Sequence, residues 1–324
     1  MAAGALAGLA AAAAAAVAVE HDRLEAERAH PPTGRFITVD GVRLHYVDSE
    51  GPGQPVVMFH GNGAMIADLE ISGIVARSAR RYRTIVFDRP GYGYSERPRG
   101  RNWGPSEQAA LFAKALAELD VERPILLGHS WGTLVALAMA LEHPMQVSGL
   151  VLASGYYFPQ ARADVVALSV PALPLLGGVL RHTLAPALVR SMAPRAIGRL
   201  FAPLPVTEDF RAHFPLELCF RPGQIRASSE EVAVMNAAAA ALARRYHEIA
   251  VPTAIIAGEA DEIVETPFHS IRLAEHIPDA TLHLLPEMGH MLHHFEAEKL
   301  ADVLHDVAAR VAHREARASL EAAG

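Results

Sequence analysis

The chain has 324 residues, 51% hydrophobic and 20% charged, which suffices for a full core and excludes a disordered or collagenous chain. Lys and Arg number 29 against 36 acidic residues, and the net charge of −7 implies no basic face for nucleic acid. A single cysteine, Cys219, excludes an intrachain disulfide and a Cys-x-x-Cys pair without fixing the compartment, and no HExxH, P-loop or GxGxxG occurs.

Residues 1–19 carry no charge and are mostly alanine. Two readings stand for them: a membrane anchor or signal segment near the ~20 residues that a bilayer requires, or an unstructured or mis-started tail. No Lys or Arg precedes the run, and alanine inserts far more weakly than leucine. Location therefore stays open between cytoplasmic and membrane-anchored. The charged, helix-prone stretch Glu20–His30 ends at Pro31-Pro32, so residues 1–30 form a tail and the folded part begins near Gly34.

Short β-branched runs between turn residues then read as strands at Phe36–Val39, Val42–Val47, Val56–His60, Thr84–Asp88, Ile125–Gly128 and Gly149–Ala153. From Val56 onward helical patterns space them, such as Ser106–Leu119, and this alternation predicts a mostly parallel sheet covered on both faces. Between 158 and 245 the rhythm changes to Leu, Ala and Pro without a buried strand, which fits short helices broken by proline. Strands return at Thr253–Ala257 and Thr281–Leu285, followed by a helix with Leu300, Val303, Leu304, Val307 and Val311 on one face. The chain thus divides into a core of 31–157 and 246–324 and a helical insert of 158–245.

The densest chemical signal is Ile125-Leu-Leu-Gly128-His129-Ser130-Trp131-Gly132, a strand running into Gly-x-Ser-x-Gly and then an apolar helix. Such a turn is tight and strained, so Gly128 and Gly132 stand where a Cβ would strike neighbouring backbone. Ser130 is a weak nucleophile unless a histidine takes its proton and a carboxylate fixes the tautomer of that histidine. Asp261 stands just past the strand Thr253–Ala257, after Gly258, and His290 lies on a glycine-containing loop after the next strand. Both positions are on the sheet edge where α/β proteins place functional groups. Glu259 and Glu262 are rival acids. His60 and His129 read as packing or hydrogen-bonding residues rather than bases. His290, His293 and His294 have no acidic or Cys partner at ligand spacing, so no metal is expected.

With the order Ser130, Asp261, His290, the chain resembles the α/β-hydrolase superfamily from about Gly34 to Val311, and in particular its capped esterases and proline iminopeptidase-like members. Phe59-His60-Gly61-Asn62-Gly63 resembles the family's oxyanion loop, and Phe87-Asp88-Arg89-Pro90-Gly91-Tyr92-Gly93-Tyr94-Ser95 its turn after the fourth strand. The resemblance implies an eight-stranded, mostly parallel sheet, a cap formed by 158–245, and an oxyanion hole of the Asn62 and Trp131 backbone N–H groups. It also favours Asp261 over its neighbouring glutamates as the acid. Each oxyanion donor would lower the barrier by about 3 to 4 kcal/mol.

Superfamily members resembling haloalkane dehalogenases or epoxide hydrolases carry aspartate where Ser130 stands, because attack on alkyl carbon needs a carboxylate. Serine points instead to acyl transfer without metal or organic cofactor, most directly on a carboxylic ester with a small or medium apolar acyl group. Amide, lactone or carbon–carbon bond hydrolysis by the same three residues is the alternative, and a ligand- or partner-binding protein without catalysis is the reading from another class. A neutral His290 is required as base, so activity is expected to rise from acid toward neutral or mildly alkaline pH. No short motif in the insert names the substrate, and the sequence carries no sign of oligomeric state.

Overall fold

The β-branched runs form one eight-stranded sheet: β1 (Arg35–Val39), β2 (Val42–Asp48), β3 (Pro55–Phe59), β4 (Arg83–Phe87), β5 (Ile125–His129), β6 (Gly149–Ala153), β7 (Thr253–Gly258) and β8 (Ala280–Leu285). Their order is β1-β2-β4-β3-β5-β6-β7-β8. The first two strands and the β2–β4 pair run antiparallel, and every other neighbour is parallel. The computed structural model describes residues 2–160, 168–173 and 176–323.

Alternation along each strand feeds two cores. On β3, Val57 and Phe59 face a cluster shared with α4 (Pro105–Glu118) and α5 (Gly132–Glu142). Val56 and Met58 face the opposite cluster, shared with α2 (Ile66–Ile71), α3 (Ile74–Ser78) and α12 (Ala297–Ala323). The predicted stripe Leu300, Val303, Leu304, Val307 and Val311 is the buried face of α12. Five such side chains at about 1.5–3 kcal/mol each hold that helix to the sheet.

Among the described residues the segment between β6 and β7 is helical, with α6 (Leu176–Arg181), α7 (Ala185–Phe201), α8 (Glu208–His213), α9 (Leu216–Cys219) and α10 (Pro222–Ala243). The expectation of short helices broken by proline is corrected for α7 and α10, which run for 17 and 22 residues. Pro186 and Pro222 lie in the first turns of these helices, where the missing N–H costs nothing, and Pro194 is accommodated inside α7. After β7 comes α11 (Arg272–His276).

Residues 2–29 form one helix, α1 (Ala2–Ala29), which stops just before the predicted Pro31-Pro32 break. Its charged half is bound to the insert through Glu27–Arg221 at 3.1 Å and Asp22–Arg190 at 3.2 Å. Among the described residues no helix is long and apolar enough to cross a membrane.

Candidate active site

Parallel pairing of β3, β5, β6, β7 and β8 brings their C-terminal ends to one rim of the sheet, with Phe59 opposite Gly128 and Gly258 opposite Leu285. The turn after β5 puts Ser130 at φ 51°, a left-handed conformation that L-residues adopt only under constraint. That constraint is steric. A Cβ on Gly128 would lie 2.7 Å from the Gly132 carbonyl oxygen, and a Cβ on Gly132 would lie 2.3 Å from the Phe59 carbonyl oxygen. The two glycines let strand, turn and helix close around the serine.

At that rim Ser130 Oγ lies 2.9 Å from His290 Nε2, and His290 Nδ1 lies 2.8 Å from Asp261 Oδ2. The other oxygen of Asp261 accepts the backbone N–H groups of Ile263 and Val264 at 2.8 and 2.9 Å. An ionised Asp261 can only accept, so Nδ1 carries the imidazole proton and Nε2 is left to accept from the serine hydroxyl. The rival acids Glu259 and Glu262 are both exposed.

The loop after β3 runs against the serine: a Cβ on Gly61 would lie 3.2 Å from Ser130 Cβ. Among the described residues the backbone N–H groups of Asn62 and Trp131 have no hydrogen-bond acceptor. The side chain of Asn62 is occupied elsewhere, its Nδ2 facing Tyr92 Oη, the Ser228 carbonyl and Glu231 Oε2 at 3.0–3.1 Å, while Oδ1 accepts from Ser228 Oγ at 2.6 Å. Trp131 is a core residue, with the Arg89 guanidinium 4.6 Å from its ring.

Arg89 is a partner that sequence reasoning missed. Wholly buried, it donates to the His60 and Gly61 carbonyls at 2.8 and 2.9 Å and pairs with the equally buried Glu231 of α10 at 2.5 Å. Burial alone would raise the Glu231 pKa, but the charges of Arg89 and Arg97 and the Tyr92 hydroxyl bring it below the ordinary carboxylate value. A visible signal existed, since Glu231 falls on the buried stripe of α10 between Ala227 and Ala239.

The histidines sort by their partners. His60 Nδ1 donates to the Gly61 carbonyl at 2.8 Å and Nε2 accepts the Arg89 N–H at 3.0 Å, which requires the neutral ring; burial and Arg89 lower its pKa to about 4. His129 Nε2 donates to the His290 carbonyl at 3.1 Å, and burial holds this ring well below the usual histidine value. Contrary to the sequence expectation, His293 and His294 do have an acidic partner: Asp68 of α2 receives Nε2 of each, at 3.2 and 2.9 Å. Fold contact across distant sequence hid it. The three residues have the donor types to hold a cation, with ligand atoms within 4.8 Å of one another. As they stand, each carboxylate oxygen faces one imidazole nitrogen. Burial opposes an ionised Asp68, yet the two imidazoles hold it well below the carboxylate range; for His293 burial prevails and lowers its pKa.

Cys219 donates to the Gly63 carbonyl at 3.3 Å, and burial raises its thiol to about 12, so it is no nucleophile at neutral pH. Tyr156 and Tyr157 are buried in the core cluster.

The sequence profile of the alpha/beta hydrolase fold matches residues 54–297. Over nearly its whole length the chain is similar to 2-hydroxymuconate semialdehyde hydrolase of Pseudomonas sp. strain CF600, 29% identical over 87% of this chain and 96% of that one. Haloalkane dehalogenase 2 of Mycobacterium tuberculosis is 31% identical over 43% of this chain, which spans about half of that relative (46%). Among solved structures, the esterase EaEST of Exiguobacterium antarcticum superposes with a TM-score of 0.69 at 25% identity, over 85% of this chain and 98% of that one. Profile, relatives and sheet order agree, and the chain belongs to the alpha/beta hydrolase fold family.

Proposed function

We propose that this protein is a serine hydrolase that cleaves carboxylic esters of small or medium apolar acyl groups through an acyl-enzyme. The observation that carries the proposal is the continuous relay Ser130–His290–Asp261, with both hydrogen bonds shorter than 3.0 Å. Ser130 Oγ attacks the ester carbonyl carbon while its proton passes to His290 Nε2. The carbonyl oxygen becomes an oxyanion facing the N–H groups of Asn62 and Trp131. On collapse the C–O bond to the alcohol breaks, and His290 returns the proton to the leaving oxygen. Water, deprotonated by His290, then attacks the acyl carbon and frees Ser130. Asp261 holds the ring in the required tautomer and stabilises the imidazolium.

A second reading, hydrolysis of a carbon–carbon bond next to a carbonyl, rests on the relative named for 2-hydroxymuconate semialdehyde. A muconate is an anion, and an anionic substrate calls for a free cation beside the serine. Among the described residues, Arg89, which meets the His60 and Gly61 carbonyls, is committed to Glu231 at 2.5 Å, and Arg97 to Glu230 at 2.7 Å. This favours a neutral ester. The test is labelling with a fluorophosphonate probe alongside turnover of p-nitrophenyl esters and of a dienoate. Labelling at Ser130 with ester turnover supports the proposal. A protein that stays unlabelled is not a serine hydrolase, and one that labels but turns over only the dienoate supports the second reading.

A further inference from the structure

Large apolar side chains gather on the outside of the insert. Leu173, Leu176, Val179, Leu184, Leu188 and Met192 are 47–67% exposed within one stretch of chain. On α7, Ala185, Ala193 and Phe201 face inward, whereas Leu188, Met192, Arg195 and Arg199, with Leu184 at the N-cap, face outward. At 3.6 residues per turn these five fall within an arc of about 80°. The helix thus presents an apolar half followed by a cationic half on one outer face.

Charge marks the same stretch. No Asp or Glu occurs between Val165 and Thr207, although the whole chain carries a net −7. Arg195 and Arg199 are exposed, and neither has an ion-pair partner among the described residues. Two-fold pairing of this face with a second copy would offer Arg195 and Arg199 no acid from the same stretch, since it contains none. A surface that is apolar below and anionic at its boundary satisfies both halves at once.

We propose that the outer face of α6 and α7 docks on an anionic phospholipid bilayer. Leu184, Leu188 and Met192 enter the boundary between headgroups and acyl chains, and Arg195 and Arg199 meet lipid phosphates. The Asp22–Arg190 pair joins the charged half of α1 to α7 through a residue on the far side of α7 from this face. The docking face itself is on the insert.

The test is co-sedimentation of the full-length protein with phosphatidylcholine vesicles, with and without phosphatidylglycerol. The protein is expected to pellet with the anionic vesicles and to be released by high salt. Leu184→Ser/Leu188→Ser/Met192→Ser should weaken binding at least tenfold, with the circular dichroism spectrum unchanged. Arg195→Gln/Arg199→Gln removes no apolar contact and should weaken binding to anionic vesicles roughly tenfold or more while sparing any binding to neutral ones. This second variant decides the matter if the first fails to fold. The proposal is overturned if the protein ignores both vesicles, if both variants bind like the wild type, or if only deletion of residues 2–19 abolishes binding. A triple variant that changes the oligomeric state but not vesicle binding makes a second copy the occupant and also overturns it.

Discussion

The imidazole of His129 donates from Nε2 to the main-chain carbonyl of His290 at 3.1 Å, so the residue before the serine holds the backbone of the residue that faces it. Both ends of the Ser130–His290 contact are therefore set by one turn of chain. His129→Leu leaves the His290 carbonyl buried without a donor and should cost about 1–3 kcal/mol of stability. Urea unfolding of the variant, with m unchanged, checks this.

Ser130→Ala should reduce p-nitrophenyl ester turnover by at least about 10⁴-fold and leave the fold intact. Ser130→Gly should be equally inactive but more stable than Ser130→Ala by roughly 1 kcal/mol, because glycine adopts positive φ without a Cβ penalty. Thermal unfolding of the pair separates the chemical from the steric role of this position. Equal midpoints would contradict the strain inferred from φ 51°.

In Asp261→Asn the amide oxygen is expected to keep the N–H groups of Ile263 and Val264, which turns the NH₂ toward His290 Nδ1. The imidazole must then accept at Nδ1 and carry its proton on Nε2, the wrong tautomer for receiving one from Ser130. A fall in kcat of about 10⁴-fold with little change in KM is expected. Steady-state kinetics on the purified variant measures it.

Removing one member of the buried Arg89–Glu231 pair strands the other. Glu231→Ala should lose about 3–5 kcal/mol, whereas the double variant Arg89→Met/Glu231→Leu should recover much of it. Urea midpoints of the single and double variants test this non-additivity. Loss of ester turnover in both would fit the hold of Arg89 on the His60 and Gly61 carbonyls.

Stability should fall on mild acidification. The pKa of His60 is lowered from 6.5 to about 4, and those of His129 and His293 are lowered too. Between about 6.5 and 4 the unfolded chain binds protons that the native rings refuse, so the stabilisation is complete above 6.5 and is lost as pH drops through this window. His60 alone should account for about 2 kcal/mol between pH 7 and pH 5. Urea midpoints at the two pH values check this, and a midpoint that rises at pH 5 would refute it.

The sheet and the serine turn were legible because their signals are local. Gly128 and Gly132 bracket Ser130 within five residues, and each strand is a short β-branched run between turns. Asp261 and His290 could be picked out because each follows such a run. Their convergence with Ser130 is a property of parallel register, which periodicity implies but does not measure. Glu231 lies 142 residues from Arg89, and Asp68 lies 225 residues from His293. No window of sequence contains either pair. The lengths of α7 and α10 are hidden in the sequence because proline reads there as a breaker, whereas Pro186 and Pro222 occupy the first turns of their helices.

Glu231 belongs to the insert, yet its counter-charge stands in the turn after β4. A chimera that exchanged this insert for one of foreign origin, lacking an acid at the equivalent turn of its last helix, would inherit an orphaned guanidinium beneath the loop after β3. Modular replacement of 158–245 is therefore coupled to position 89, and the two would have to be transplanted together.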